Sequence, residues 1–307
     1  LSAVPGWIRD ALDDHLHVVV LATGDPLCHG IAGFLASRLC VEVIEVIPNL
    51  STLQLACAKV GLVWQDARIV SVHSKDAGEW TEGATPQHGL YALAQALRHH
   101  DRLLVLTSPD NSPDRIARLI QTEGLQDDFE MAVAECLCTP QEQVHTELSI
   151  ANAATTSFAS PNVVLIWRKQ MGPNPVRFGL ADASYNQRQP DKGLITKQEV
   201  RAVSLARMQL RLDSVVWDIG AGSGSVGLEA ARLCSRGHVW AIEKNVDDHA
   251  IARSNRQAFG VSNYTLMHGK APEYLDTWPD PDAVFIGGSG GELAELITLV
   301  LRRMKSG

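Results

Sequence analysis

Short unbroken apolar runs alternate along the chain with stretches in which apolar residues recur every three or four positions. The first pattern reads as buried strands and the second as amphipathic helices. In the first half the strand candidates are 17-HVVVLA-22, 41-VEVIEVI-47, 68-RIVSV-72, 102-RLLVLT-107, 129-FEMAVAE-135 and 162-NVVLIWR-168. Helices are expected near 30–39, 51–60, 86–98 and 113–123, the last with Ser112 as N-cap and Pro113 at its first position. In the second half strands are expected at 214–219, 238–243, 263–267 and 282–286, and helices near 225–235, 246–259 and 290–303. A further helix should start at 196-TKQE-199, a capping box in which Thr196 and Glu199 satisfy each other's amides.

This alternation predicts an α/β fold in which a mainly parallel sheet is covered by helices, built twice over. Residues 169–192 interrupt the pattern with Pro173, Pro175, Pro190, Gly172 and the polar run 184-SYNQRQ-189. Two domains are therefore expected, 1–170 and 191–307, joined by a linker over 171–190. No internal repeat is visible. The first half opens on the helix-like 7-WIRDALDDHL-16 and the second stops at 304-MKSG-307 with two or three strands still expected, so the sequence reads as a fragment of a longer protein.

Composition narrows the class. A chain of 307 residues fits two cores better than one, and 45% hydrophobic with 20% charged residues is the balance of a folded, soluble protein. The longest apolar runs, 16-LHVVVLA-22 and 214-SVVWDIG-220, are strand-sized, far below the ~20 residues of a membrane span. No membrane partner is expected. Residues 1–15 lack the features of a signal peptide, so a cytoplasmic location is expected. A net charge of −8 disfavours nucleic acid as a partner. Cys28, Cys40, Cys57, Cys136, Cys138 and Cys234 lie mostly in apolar segments without zinc-ligand spacing and read as reduced core residues. His99 and His100 close a helical stretch, where a solvated or dipole-pairing role is expected. No metal is expected.

The clearest chemical signal is 215-VVWDIGAGSGSVGLEAA-231, a strand, a glycine-rich turn and a helix start. Gly220, Gly222 and Gly224 let backbone approach a ligand closely, and the helix N-terminus beyond offers amide donors. Ala221 and Ser223 complete the loop. Because 222-GSGSVG-227 also fits the dinucleotide fingerprint, the loop alone does not separate a methyltransferase from a nicotinamide-dependent oxidoreductase. Asp218, just before the turn, is expected to supply an anion near the cationic methionine end of S-adenosylmethionine. Glu243, ending the next strand in 239-VWAIEKN-245, is placed to accept both ribose hydroxyls of either cofactor. Gly269 and Ala271 in 268-HGKAPEYL-275 are expected to hold an adenine through backbone contacts. Gly287, Gly288, Ser289 and Gly290 end the fourth strand, where open α/β sheets bind ligands, and should face the methyl acceptor.

In the first half, 20-VLATGDPLCHGIAGFL-35 carries a strand into Gly24, Asp25 and Pro26, a turn able to present backbone groups and one carboxylate to a ligand. Together with 46-VIPNLSTLQLACAKVGLVWQDARIVSVH-73, 106-LTSPDNSPDRIARLI-120 and 161-PNVVLIW-167, this stretch resembles the tetrapyrrole methylases, in their corrin carbon 5 branch. Asn49 stands where that family usually has glycine; asparagine tolerates the left-handed backbone. The N-terminal GxGxGP strand and loop of the family have no counterpart. The motifs 191-DKGLITKQEVRA-202, 218-DIGAGSGSVG-227, 268-HGKAPE-273 and 285-FIGGSGG-291 resemble the decarboxylating precorrin carbon 15 methylases. Their order in one chain is that of the fused precorrin-6Y methyltransferases.

That resemblance implies a Rossmann-like second domain, S-adenosylmethionine as cofactor, and a tetrapyrrole substrate methylated at carbons 5 and 15. It also implies decarboxylation of the ring C acetate, giving precorrin-8X in cobalamin biosynthesis, and a homo-oligomeric assembly. It places Thr196, the Gly220–Gly224 loop, Glu243 and Ala271 against the cofactor, with Gly24 and Asp25 in the first half. A substrate with many carboxylates calls for basic side chains, for which Lys192, Lys197 and Arg201 are the candidates. Methyl transfer from a sulfonium requires no strong base, and no residue is singled out as catalytic acid or base. The alternatives are the oxidoreductase and a tetrapyrrole-binding module without turnover.

Overall fold

The computed structural model describes residues 2–39, 44–74, 76–170, 176–188 and 195–305. The first half contains α1 (Val4–Asp13), α2 (Ile31–Ala36), α3 (Thr52–Val60), α4 (Tyr91–His99), α5 (Pro113–Thr122) and α6 (Ile150–Ala153). Its strands are β1 (Arg68–Ser71), β2 (Arg102–Leu106), β3 (Phe129–Glu135), β4 (Gln143–Leu148) and β5 (Asn162–Arg168), in the order β1-β2-β5-β3-β4. Strand alternation builds two cores. Leu103 and Val105 face α4 and α5, among Leu93, Leu97, Ile116 and Ile120. Leu104 faces the other way, with Ala132 and Leu165, onto Leu53, Ala56 and Cys57 of α3.

Only β1 and β2 pair in parallel; β2 with β5, β5 with β3 and β3 with β4 are antiparallel. The expected mainly parallel sheet thus gives way here to a mixed one. The cause is the short connection from β3 to β4, which folds as a hairpin on a strand, Gln143–Leu148, too polar to register as apolar alternation. The expected strand at 17–22 is also absent. That segment runs without regular structure and exposed, Val19 by 80% and Leu21 by 91%, and among the described residues no strand lies beside it to offer a ladder. Residues 44–47 form no strand either, and 41–43 lie outside the described residues.

The second half contains α7 (Gln198–Met208), α8 (Ser225–Leu233), α9 (Val246–Ala258) and α10 (Leu293–Arg303) around β6 (Val215–Ile219), β7 (His238–Glu243), β8 (Tyr264–His268) and β9 (Ala283–Ile286). The sheet order is β8-β7-β6-β9 and every pairing is parallel. Val216, Val239 and Ala241 pack with Leu205, Leu228 and Tyr264, while Trp217, Ile219 and Trp240 turn to Trp278, Leu296 and Val300. Burial on both faces is what a parallel sheet demands.

Three expectations about local chemistry change. The Thr196/Glu199 capping box does not form, because α7 starts at Gln198 with Lys197 as an N-cap that makes no side-chain bond. The Ser112 hydroxyl turns to Asp114 at 2.5 Å instead of capping α5, although Pro113 does open that helix. Cys57 and Cys234 are buried, but Cys28 and Cys136 are half-exposed and Cys138 is exposed on the β3–β4 turn; Cys40 lies outside the described residues. Residues 179–186, within the expected linker, pack against the second half. Glu229 accepts from the Gly179 and Leu180 amides and from the buried Tyr185 hydroxyl. No described helix is long and apolar enough to cross a membrane.

Candidate active site

Because the second sheet is parallel throughout, β6, β7, β8 and β9 end on the same edge, and the loop after each contributes one wall of a cavity of about 500 Å³. That volume falls in the ~300–1,000 Å³ range of small-molecule and cofactor sites. The walls are Gly220–Gly222 after β6, Glu243–Asn245 after β7, Gly269–Ala271 after β8 and Gly287–Gly290 after β9. Thr196 and Ile195, before α7, and Arg188 close the remaining side.

The turn after β6 runs through left-handed backbone at Gly220, Gly222 and Gly224, with φ of 72°, 56° and 78°. Gly220 has a second constraint. A Cβ there would lie 2.5 Å from the Gly288 carbonyl oxygen, so the loops after β6 and β9 touch backbone to backbone. Gly220 and Ala221 donate to the Ile242 carbonyl at 3.0 and 3.1 Å, which bends the turn toward β7.

Glu243 is 7% exposed at the end of β7. Its Oε2 accepts from the Gly222 amide and its Oε1 from the Asn245 amide, both at 2.8 Å. Each carboxylate oxygen retains room for another donor, so the group can also receive two hydroxyls of a ligand. Asn245 in turn caps α9 by accepting from the Asp247 and Asp248 amides. Beside it, Arg188 forms an ion pair with Asp248, its Nη2 donating to Oδ2 at 2.9 Å and its Nε lying 2.9 Å from Oδ1. Burial pushes the Asp248 carboxyl up, and Arg188 only partly opposes this. At the rim Lys270 pairs with Glu292 at 2.5 Å, and both Lys270 and Lys244 approach Gly290.

Of the residues singled out in the sequence, Thr196, Gly220, Ala221, Gly222, Glu243, Gly269, Ala271, Gly287, Gly288, Ser289 and Gly290 meet around this one cavity. Asp218 does not. It is 1% exposed beneath the loop, where its Oδ2 accepts from the Gly227 amide at 3.1 Å. Burial pushes its carboxyl up to about 7. The expected anion beside a sulfonium is thus an internal brace between the strand and α8. Ser223 is likewise buried, and Gly224 serves as the N-cap of α8.

The basic candidates are displaced as well. Arg201 is fully buried, against the expectation that it lines a substrate cleft. Its Nε donates to Glu229 at 2.6 Å, its Nη1 to Asp182 at 3.1 Å and to the Thr196 carbonyl at 2.5 Å, and it stacks on Tyr185. Such a residue holds residues 179–186 to α7 and α8 and has no face left for a ligand. Lys197 points to solvent near Asp182 at 3.8 Å, and Lys192 lies outside the described residues. Gly24 and Asp25 sit apart in the first half. Gly24 is left-handed, with φ of 70°, and packs near Leu50 and Ser51, and Asp25 accepts from the Leu27 amide at 2.8 Å. Arg188, Lys244, Asn245, Asp248 and Lys270 are the polar wall residues that sequence reasoning missed. Arg188 stands in a stretch that looks like linker, Lys244, Asn245 and Lys270 stand beside the acid and glycine that drew attention in 239-VWAIEKN-245 and 268-HGKAPE-273, and Asp248 carries no motif of its own.

Residues 2–151 match the tetrapyrrole (corrin/porphyrin) methylases, and residues 189–307 match the precorrin methyltransferase domain. A decarboxylating precorrin-6Y C(5,15)-methyltransferase of Sinorhizobium sp is 32% identical over 301 residues, covering 94% of this chain and 66% of the relative. The chain thus spans about two thirds of that relative's length. A cobalt-precorrin-6B C(15)-methyltransferase (decarboxylating) of Salmonella typhimurium is 39% identical over 113 residues, 37% of this chain and 58% of the relative. Among solved structures, a precorrin-6Y C5,15-methyltransferase of Geobacter metallireducens shares 47% identity over 43% of this chain and 69% of its own, with a TM-score of 0.41.

Proposed function

Because the chain belongs to the precorrin methyltransferases, with a tetrapyrrole methylase domain ahead of the precorrin methyltransferase domain, we propose that its second half binds S-adenosylmethionine in the cavity around Glu243. The observation that carries this reading is the Glu243 carboxylate, already held by two backbone amides and aimed into a cavity walled by three glycine-bearing loops. The carboxylate fits a ribose diol. The Gly220–Gly222 turn fits the methionine end, and Gly269 and Ala271 fit an adenine edge. Thr196 borders the same space, and Gly287–Gly290 face the methyl acceptor.

We extend the proposal to the whole protein: methylation of precorrin-6Y at carbons 5 and 15, with decarboxylation of the ring C acetate, whose carboxyl group leaves as carbon dioxide and whose methylene takes up a proton to become a methyl group, giving precorrin-8X. The bound cofactor supplies a methyl group on a sulfonium, open to in-line displacement by an electron-rich carbon of the macrocycle. The chain's part is to hold the two carbons in line and exclude water, which needs no strong base. Carbon 15 chemistry is assigned to the second half. Carbon 5 methylation is assigned to the first, where Gly24 and Asp25 are the proposed cofactor contacts, on the strength of its match to the tetrapyrrole methylases. A cytoplasmic homo-oligomer is proposed as its working form.

Calorimetric titration with S-adenosylhomocysteine, with NAD in parallel, tests the cofactor site. Saturable binding of the homocysteine compound alone is expected. Binding of NAD alone would replace the methyltransferase reading with the oxidoreductase one.

A further inference from the structure

Three elements of the second half run from its cofactor cavity to its contact with the first half. β7 ends in the cavity at Glu243 and begins at His238, whose Nδ1 meets the Tyr91 hydroxyl of α4 at 2.8 Å. β8 leads to Gly269–Ala271 in the cavity wall, and its Thr265 hydroxyl donates to the Gly83 carbonyl at 2.7 Å and contacts His238 Nε2 at 2.8 Å. α9 presents Asp248 to the cavity from its first turn and, two turns on, Arg253 and Arg256 to the first half.

The contact there is a partly buried ion cluster, with Arg256 and Glu123 inside and Arg253 at the surface. Glu82 takes Arg253 at 2.9 Å and Arg256 at 2.8 Å. Arg256, 3% exposed, also approaches Glu123 at 3.6 Å. Glu123 in turn is held by Arg98 at 2.7 Å and by the Trp80 indole at 2.9 Å. Burial works against the charge on Glu82, yet its two arginines keep its carboxyl below the usual range. A fixed anchor at this end limits how far each element can shift at the other. His238 and Glu243 are separated by roughly 16 Å along one strand, at ~3.3 Å per residue.

We propose that Arg256 and Thr265 are positioning residues of the cofactor cavity. They act through α9 and β8, so that affinity in the second half is set in part by the first half through Glu82, Glu123 and Gly83. This rests on the cofactor reading above. It assigns the contact between the halves a role in binding, in addition to holding the chain together. The same linkage makes cofactor occupancy tighten the contact, since a coupling between two sites is reciprocal.

The test is Glu82→Gln in the full chain, a change made in the first half and outside the cavity, read by two measurements. Titration with S-adenosylhomocysteine should show an affinity at least about fivefold weaker, the lower end of ordinary coupling. Hydrogen exchange without ligand should be faster at residues 244–250 and 268–272, while Asp66→Asn, which breaks the remote exposed pair with Arg102, changes neither. Arg253→Gln removes only the outer, half-exposed arm and serves if Glu82→Gln does not fold. Unchanged affinity and unchanged exchange in a folded variant would overturn the proposal. A wild-type chain that ignores S-adenosylhomocysteine would count against the cofactor assignment, and the exchange measurement would still decide the coupling.

Discussion

The Glu243 carboxylate accepts from the Gly222 amide at 2.8 Å, tying the acid that ends β7 to the glycine turn that follows β6. One side chain therefore fixes the shape of the loop and offers the ligand its acceptors.

Replacing it should cost on both counts. Charge-assisted hydrogen bonds contribute about 1.5–3 kcal/mol each, so Glu243→Ala, which removes two, is expected to weaken S-adenosylhomocysteine binding by at least about 100-fold. Glu243→Gln, which keeps one acceptor, should lose less. Equal affinities for the three proteins by calorimetry would remove Glu243 from the site.

Gly220→Ala should abolish binding while leaving a folded chain. The new methyl meets the Gly288 carbonyl at 2.5 Å, and alanine is strained at φ of 72°. The left-handed backbone alone costs ~1–2 kcal/mol, and the two loops must part to admit the methyl. A variant that still binds at wild-type affinity would show that the loops after β6 and β9 separate freely.

Arg201 should behave as a stability residue. Arg201→Met leaves Glu229 buried without its cation, an arrangement that typically costs about 3–5 kcal/mol. Denaturant unfolding should show that loss, and a variant that stays folded below its midpoint should bind the cofactor product as wild type does. Undiminished stability together with weakened tetrapyrrole binding would restore Arg201 as a cleft residue.

Two buried groups should pull stability in opposite directions with pH. Burial depresses His238 from 6.5 to about 3, with the Arg256 charge adding to the effect. Below pH 6.5 the unfolded chain takes up a proton that the folded one refuses, so this group's stabilisation is lost as pH falls from 6.5 toward 3. Asp218 is raised from 3.8 to about 7, by burial first and then by Glu243, against the Gly227 amide. Here the folded chain holds a proton the unfolded one has released, and the stabilisation is lost as pH rises from 3.8 to 7. Each slope is ~1.4 kcal/mol per pH unit and they oppose between about 4 and 6.5. Melting temperatures of His238→Gln should therefore fall with rising pH in that window relative to wild type, and those of Asp218→Asn should fall with falling pH. Parallel profiles for all three proteins would refute both shifts.

Where a residue's role is set by backbone, the sequence reveals it. Gly220, Gly222, Glu243 and Gly287–Gly290 reach the cavity because strand ends and left-handed turns place them there, and both are visible as local patterns. Roles set by side-chain company are hidden. Arg201 looks like any helix-surface cation until Glu229 of α8 and Asp182 and Tyr185 of the 179–186 segment close over it. Asp218 looks like a ligand contact until strand alternation turns it under the loop toward Gly227. Arg188 looks like linker until it pairs with Asp248. The same holds for strands: Val18–Leu21 have the composition of a core strand, yet composition cannot supply the neighbour to pair with, while polar Gln143–Leu148 becomes a strand because β3 lies beside it.

The order β1-β2-β5-β3-β4 sets a timetable for synthesis. The strand in the centre of the first sheet is the last of the five to leave the ribosome, and β2 and β3 have no contact in the ladder until it slides between them. A nascent chain that stops short of Asn162 holds two separate strand pairs with their inner edges bare. Such edges are templates for pairing with other chains. The first half therefore cannot finish folding until the segment leading into the second is already emerging.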